Sequence, residues 1–342
     1  MNDGPYAVYG ASGVIGSMSK YQNDVPYVAV VKDGAGVGRA NACDAKTSVL
    51  GTMQALIPKS NVERDYLLHL VRSLQLGKGF SGSTIPHIYF KDYGKLEVPL
   101  PSVADQKQVV RQFGAIERQI AQAQSQIEKL DQLVKSRFVE MFGDVSNYEV
   151  RPLVDCVAGI ESGKSPKCMS APRVNGGPAV LKLSAISSGV YLEAENKALL
   201  PDDEVIPQKV VIDGDILLSR KNTPELVGRS VLVDHTDGNV MFPDIVFRMH
   251  VRPGVNAVYL SQLLSGPLFG SIRSLAHGSA KSMSNIPKSE LAMLEIPLPP
   301  FSLQQEFASF AAQVDKSRFV AQQQIEKLQM LYDSLAQDYF GD

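Results

Sequence analysis

Two stretches of this chain carry apolar residues at alternating steps of four and three. The first runs Val109, Phe113, Ile116, Ile120, Ala123, Ile127, Leu130, Val134. The second runs Phe307, Ala311, Val314, Arg318, Ala321, Ile325, Leu328, Tyr332, with Arg318 standing where the first has Ile120. A 3.5-residue period is a heptad seam, and glutamines and charges cover the remaining faces. Each pattern predicts a helix of about 35 residues, roughly 50 Å long at about 1.5 Å per residue. Pro99-Leu100-Pro101 and Pro297-Leu298-Pro299 precede the two seams, and the residue before a proline is steered out of helical geometry, so both helices are expected to begin after these prolines. A seam this narrow and long suits two helices that pair with each other, antiparallel if the globular parts sit at opposite ends, better than two helices each lying on its own domain.

The helices belong to a larger repeat. Residues 96–144 align with 294–342 without a gap, at an offset of 198, with 18 identities in 49 positions. Both copies end in Phe-Gly-Asp, at Phe142-Gly143-Asp144 and Phe340-Gly341-Asp342. Solenoid units run roughly 20–50 residues, so a period this long describes two copies of a globular part followed by a helix. Such a chain can present two similar surfaces about a pseudo-twofold axis, which suits a symmetric partner such as duplex DNA.

The globular parts read as mixed α/β. In 149–293 the strand-like runs are Val180–Leu183, Lys209–Ile212, Asp215–Leu218, Ser230–Val233 and Ile245–Val251, separated by turns such as Asp213-Gly214 and Asp237-Gly238-Asn239, with a helix expected from Ala257 to Leu275. Residues 1–95 read as a shorter, divergent copy. Tyr27–Val31 followed by Val37-Gly38-Arg39 parallels Ile216–Ser219 followed by Val227-Gly228-Arg229, and Tyr66–Leu74 parallels the helix near Tyr259. No counterpart of roughly 149–175 is visible in the first part, which therefore reads as a unit truncated at its N-terminal side. The expected fold class is α+β, with two mixed α/β domains at 1–95 and 149–293 and two helical spacers at 96–148 and 294–342 that form the antiparallel coiled coil.

Composition narrows this picture only a little. The chain has 342 residues, 44% hydrophobic, enough for two cores. It has no apolar run of roughly 18 residues and no charged-then-apolar leader at its start. Three cysteines, Cys43, Cys156 and Cys168, lack metal-ligand spacing and are expected as free thiols of a reducing cytoplasm. The net charge of −2 advertises no nucleic acid globally, but Arg248–Lys288 holds five Lys/Arg and no Asp or Glu.

Three motifs imitate chemistry they lack the parts for. Gly10-Ala11-Ser12-Gly13-Val14-Ile15-Gly16 imitates a dinucleotide loop, the basis of a nicotinamide-dependent enzyme reading, but Pro26 and the strand at Tyr27 arrive too soon for the required helix. Gly159–Ser165 imitates a phosphate-binding loop, with three residues between its glycines instead of four and with Pro166 where the helix should start. Leu298-Pro299-Pro300-Phe301 imitates a methyltransferase tetrapeptide, yet leucine cannot accept a hydrogen bond from a target amino group. His69, His87, His235, His250 and His277 are scattered, and no nucleophile–base pair stands out, so catalysis by this chain is not expected.

Taken in order, several segments resemble the specificity subunits of type I restriction–modification systems. They are Ser162-Gly163-Lys164-Ser165-Pro166, Val180–Ile186, Gly214–Leu217, Ser219-Arg220-Lys221-Asn222, Val227-Gly228-Arg229-Ser230 and Phe242-Pro243-Asp244, with Tyr6–Gly16 and Lys32-Asp33-Gly34 in the first part and the two Pro-Leu-Pro–helix–Phe-Gly-Asp repeats. The resemblance covers nearly the whole chain. It implies two target-recognition domains, each reading one half of a split site on double-stranded DNA, with helices that set the spacing. It implies no cofactor on this chain. Modification subunits would carry S-adenosylmethionine and methylate adenine, and an ATP-driven restriction subunit would cleave, in a prokaryotic cytoplasm and in phage defence. The departure is the shortened first unit, which makes a homodimer a further expectation. A coiled-coil scaffold without DNA specificity is the other class the sequence allows.

Binding residues concentrate in loops between elements. The candidates for DNA contact are Lys164, Ser165, Arg220, Lys221, Asn222, Arg229, Lys281, Ser282 and Asn285 in the second unit and Lys32, Arg39, Ser83 and His87 in the first. Arg and Asn can make two-point contacts to guanine and adenine, whereas Lys more often holds phosphate.

Overall fold

The structure is a computed structural model that describes residues 4–82, 85–143, 147–278 and 283–341. By contacts it divides into two units. Unit one is residues 1–127 with 319–342, and unit two is residues 128–318.

Unit one opens with β1 (Tyr6–Gly10), β2 (Gly13–Met18), β3 (Tyr27–Val31), β4 (Ala40–Cys43), β5 (Ser48–Val49) and β6 (Met53–Leu56). Helices α1 (Arg64–Ser73), α2 (Phe90–Tyr93) and α3 (Val103–Phe142) follow. The strands form two sheets, ordered β4–β3–β6 and β2–β1–β5. β3, Tyr-Val-Ala-Val-Val, is buried along its whole length because both of its faces are covered. Val28 and Val30 pack with Leu68 and Val71 of α1, while Tyr27, Ala29 and Val31 pack with Cys43 and Met53 on the other side. That split follows from the two-residue side-chain alternation of a strand.

Unit two contains β7 (Glu149–Pro152), α4 (Leu153–Cys156), β8 (Val157–Ser162), β9 (Ala179–Leu181), α5 (Ser184–Ser187), β10 (Asn196–Ala198), β11 (Ile216–Ser219) and β12 (Lys221–Asn222). Then come β13 (Ser230–Leu232), β14 (Val240–Met241), β15 (Val246–Val251), α6 (Ala257–Ser265), α7 (Phe269–Ser274), β16 (Ser284–Asn285), α8 (Lys288–Ala292), β17 (Glu295–Leu298) and α9 (Phe301–Phe340), of which 319–340 belong to unit one, as 128–142 of α3 belong to unit two. The central sheet is β13–β11–β15–β8, and β10–β9–β14 is a smaller one. Ile216 and Leu218 of β11 enter the core with Tyr259, Leu260 and Leu263 of α6, and Leu217 enters the opposite core with Val231 and Phe242.

The two units share a topology. β11, flanked antiparallel by β13 and β15, corresponds to β3, flanked antiparallel by β4 and β6. β9, antiparallel to β10 and parallel to β14, corresponds to β1, antiparallel to β2 and parallel to β5. In unit two, β8 extends the sheet beyond β15 and Met169 N–H bonds the carbonyl of Ala198 outside β10. Neither addition has an equivalent among the described residues of unit one.

Both long helices have 40 residues, about five more than the heptads alone predicted, because the turns at each end continue past the seam. In unit one the start of α3 meets the end of α9. Phe113 stacks on Phe340 with ring centroids 5.8 Å apart and meets Tyr332 edge-on at 4.7 Å. In unit two the order along one helix reverses along the other, as an antiparallel pair requires. Asp131 meets Arg318 at 3.2 Å, and Phe138 and Phe142 meet Phe307. Arg318, the one polar residue in the seam, is thus held by Asp131 and by Asp315 on its own helix.

Three local expectations change. The helix predicted over 257–275 is two helices, broken where Gly266 and Pro267 end α6. The run Lys209–Ile212 is a 3-10 turn (Pro207–Lys209) followed by a single bridge from Val210 to Met241. The basic stretch 248–288 is not one free face. Arg248 is committed to Glu161 at 2.9 Å and to the carbonyls of Gln208 and Val210, and Arg252 donates to Val157 O.

The dinucleotide-like loop is the β1–β2 hairpin, with Gly13 at φ +106 in its turn and no helix after it. This removes the geometry a nicotinamide site needs. Gly159–Ser162 lies in β8, so the phosphate-loop imitation is a strand. Cys43 and Cys156 are buried and free, and burial pushes both thiols up to about 11, far from reactive. Among the described residues no His, Cys, Asp and Glu group could hold a metal, and no helix is long and apolar enough to cross a membrane.

Candidate nucleic-acid interface

The antiparallel pairing of unit two brings one end of its central sheet together. Ser219 at the end of β11 stands opposite Val246 at the start of β15, and Ser162 at the end of β8 stands opposite Phe247. β13 begins at Ser230 at that same end. The loops leaving this end hold Lys164 and Ser165 after β8, Arg220 to Asn222 after β11, and Arg229 before β13. Asp244 and Ile245 tie two of them together. Asp244 N–H donates to Ser165 Oγ at 3.1 Å, and Arg220 and Lys221 N–H both donate to Ile245 O. The Ser165 hydroxyl in turn donates to the Asp244 carboxylate. Lys164 and Ser165 are exposed.

The short β12–β16 pair adds Asn285, opposite Lys221. Arg220 Nε donates to Asn285 Oδ1 at 3.1 Å, and its guanidinium lies over the Phe247 ring at 5.3 Å. Arg229 lies over the Phe269 ring at 4.5 Å, and its Nε is buried without a partner among the described residues. Stacking on an aromatic face holds a cation in place while leaving its donors free. Asn222 Oδ1 caps Thr223 N–H, while its Nδ2 is buried and unpaired among the described residues. Lys281 and Ser282 lie outside the described residues.

Unit one repeats this construction with different side chains. Gly228 N–H donates to Ser219 O, and Gly38 N–H donates to Val31 O, so Arg229 and Arg39 follow the same turn. Both glycines have positive φ, +82 and +85, and an added Cβ would meet Ile272 Cγ2 at 2.6 Å or Gly77 N at 2.2 Å. The turn therefore requires glycine in both units. Ile286 N–H donates to Arg220 O as Ile88 N–H donates to Lys32 O, which puts Lys32 in the place of Arg220 and His87 in the place of Asn285. His87 Nδ1 is 2.7 Å from Asp33 Oδ1. Beside His87 a cavity of about 420 Å³ is lined by Gln75, Lys78, Tyr89, Asp92 and Tyr93 among others. Arg39 is exposed, and Ser83 lies outside the described residues.

Sequence reasoning missed the rings under Arg220 and Arg229, since Phe247 and Phe269 carry no chemistry until the fold places them. It also missed Gln106 and Gln304, which fasten each long helix to its domain. Their identity in the 198-residue repeat was a signal that could have found them.

The comparisons agree with this architecture. A family model for the type I restriction modification DNA specificity domain matches residues 2–132. The EcoEI type I restriction enzyme specificity subunit of Escherichia coli is 35% identical over 153 residues, 44% of this chain and 26% of that one, so the match spans about a quarter of that relative's length. The MjaVIII specificity subunit of Methanocaldococcus jannaschii is 25% identical over 305 residues, 81% of this chain and 70% of that one. The fold is that of the type I restriction–modification S subunit from M. genitalium, at TM-score 0.52 and 14% identity over 100% of this chain and 90% of that one. A chain from a structural study of type I complex assembly gives TM-score 0.52 and 16% identity, covering 94% of this chain and 84% of that one. Residues 2–132 thus match the type I restriction modification DNA specificity domain, and the two topologically equivalent units with their long paired helices share the fold of the solved type I S subunits.

Proposed function

We propose that this chain is the DNA-reading subunit of a type I restriction–modification complex, each unit recognising one half of a split duplex site. The observation that carries the reading is the repeated sheet end. Arg220, Arg229 and Asn285 in unit two, and Lys32, Arg39 and His87 in unit one, occupy equivalent backbone positions at this end of the sheet. Side chains of this kind reach base edges and phosphates. Lys164, Ser165 and Lys221 extend that surface, and Lys281, Ser282 and Ser83 are candidates by sequence alone.

In this reading the chain is not the catalyst. Modification subunits would dock on the long helices, bring S-adenosylmethionine and methylate adenine, and an ATP-driven restriction subunit would complete the complex, in a prokaryotic cytoplasm. The additional strand and edge segment around β8 make unit two the fuller reading surface, and a second copy of the chain could supply another.

Binding of the full chain to duplex DNA at several salt concentrations tests this. Affinity should fall linearly on a logarithmic plot against salt, and Lys164→Ala should reduce the slope by about one while leaving sequence preference alone. A coiled-coil scaffold would show no duplex binding at any salt concentration.

A further inference from the structure

We infer that the Arg220–Asn285 pair makes unit two a reader of guanine; this rests on the DNA-reading function proposed above. Arg220 Nε is a donor under all conditions in a protein, so the Asn285 atom 3.1 Å from it is the amide oxygen. The orientation of this amide is therefore fixed by chemistry. Asparagine reads adenine with both ends of its amide, accepting from N6 and donating to N7. Here one lone pair of Oδ1 is taken by Arg220 Nε, and the guanidinium beside it repels the amino donor that adenine would bring to the other.

The pair presents chiefly donors, Nη1 and Nη2 of Arg220 and Nδ2 of Asn285, backed by the guanidinium charge. The major-groove edge of guanine presents two acceptors, N7 and O6, and no donor. Adenine and cytosine place an amino donor there and would meet donor against donor. Thymine offers one acceptor beside a methyl group.

The donors are also held in place. Arg220 N–H bonds Ile245 O at 2.9 Å, Arg220 O accepts from Ile286 N–H at 3.0 Å, and Phe247 supports the guanidinium from below. Asn285 sits on a paired strand opposite Lys221. A reading group fixed in this way loses little freedom on binding. Unit one carries Lys32 and His87 at these positions, so the inference applies to the half-site of unit two alone.

Selection of duplexes by the full chain from a random-sequence library should return a fixed guanine in one half-site. On the selected duplex, 7-deazaguanine at that position removes N7 and should weaken binding about tenfold. Inosine there keeps both N7 and O6 and should bind as guanine does. Asn285→Asp keeps an acceptor for Arg220 but replaces the Nδ2 donor by an acceptor, and Arg220→Lys keeps the charge but loses the fork. Both should lose affinity for the guanine-containing duplex and not for duplexes altered at that base. Half-sites without a fixed guanine, indifference to 7-deazaguanine, or equal losses on all sequences would overturn the inference while leaving DNA reading intact. Failure to retain any duplex would overturn the DNA-reading function itself.

Discussion

Gln106 and Gln304 make the same contacts in the two units. Gln106 Oε1 accepts from Glu63 N–H at 2.8 Å and Gln304 Oε1 from Asn256 N–H at 2.9 Å, and each Nε2 donates to the carbonyl of the proline five residues earlier, Pro101 or Pro299. Glu63 and Asn256 are the N-caps of α1 and α6. Both glutamines are fully buried. One amide thus joins the start of a long helix, the proline stop before it, and the start of the domain helix. Beside it, Tyr66 and Tyr259 hydroxyls donate to Pro99 O and Pro297 O.

Replacing Gln304 by Leu keeps the volume and leaves a buried donor and acceptor unpaired. The cost should be about 2–4 kcal/mol in urea unfolding. Gln106→Leu should cost a similar amount, because Gln106 Nε2 also serves Asn61 O. A loss below about 0.5 kcal/mol in both variants would show that the clamp is not structural.

How much of this was legible follows from range. Every named seam residue of both long helices is buried or half-buried, because a heptad encodes burial within a few residues of sequence. β3 and β11 were legible as continuous apolar runs, which two-sided burial demands. The site was legible only as loop residues of the right types. That Arg220 meets Asn285, 65 positions away, depends on β12 pairing with β16, and nothing local to either residue encodes that register. The break at Gly266-Pro267 was visible in the sequence and was overridden by the apolar pattern around it.

The paired helices give a second prediction. Phe307 is fully buried among Phe138, Phe142 and other core residues of unit two. Phe307→Ala should destabilise that unit by about 3–5 kcal/mol. Leu130→Asp, at a half-buried seam position, should cost less than Phe307→Ala, since water reaches part of the side chain. Thermal unfolding that ranks the two in the opposite order would contradict the packing described.

His69 gives a third. Its ring is buried against Phe113, with Nδ1 2.9 Å from the Tyr332 hydroxyl. Burial first, and then the Arg72 charge, lower its pKa from 6.5 to about 4. The folded state therefore resists a proton that the unfolded state accepts. The contribution to stability is complete above about pH 6.5 and is lost as the pH falls toward about 4, on the order of 3 kcal/mol in all. His69→Phe should flatten the decline of unit-one stability between pH 7 and pH 4.5, read by urea denaturation at each pH. A decline of unchanged steepness in the variant would assign the acid sensitivity to other groups.

Reading of two separate half-sites by the two units is decided by methylome sequencing of cells that carry this chain with an adenine methyltransferase subunit. One new methylated motif is expected, made of two short specified halves separated by a gap of unspecified bases. A continuous motif, or methylation unchanged from cells without the chain, would contradict it.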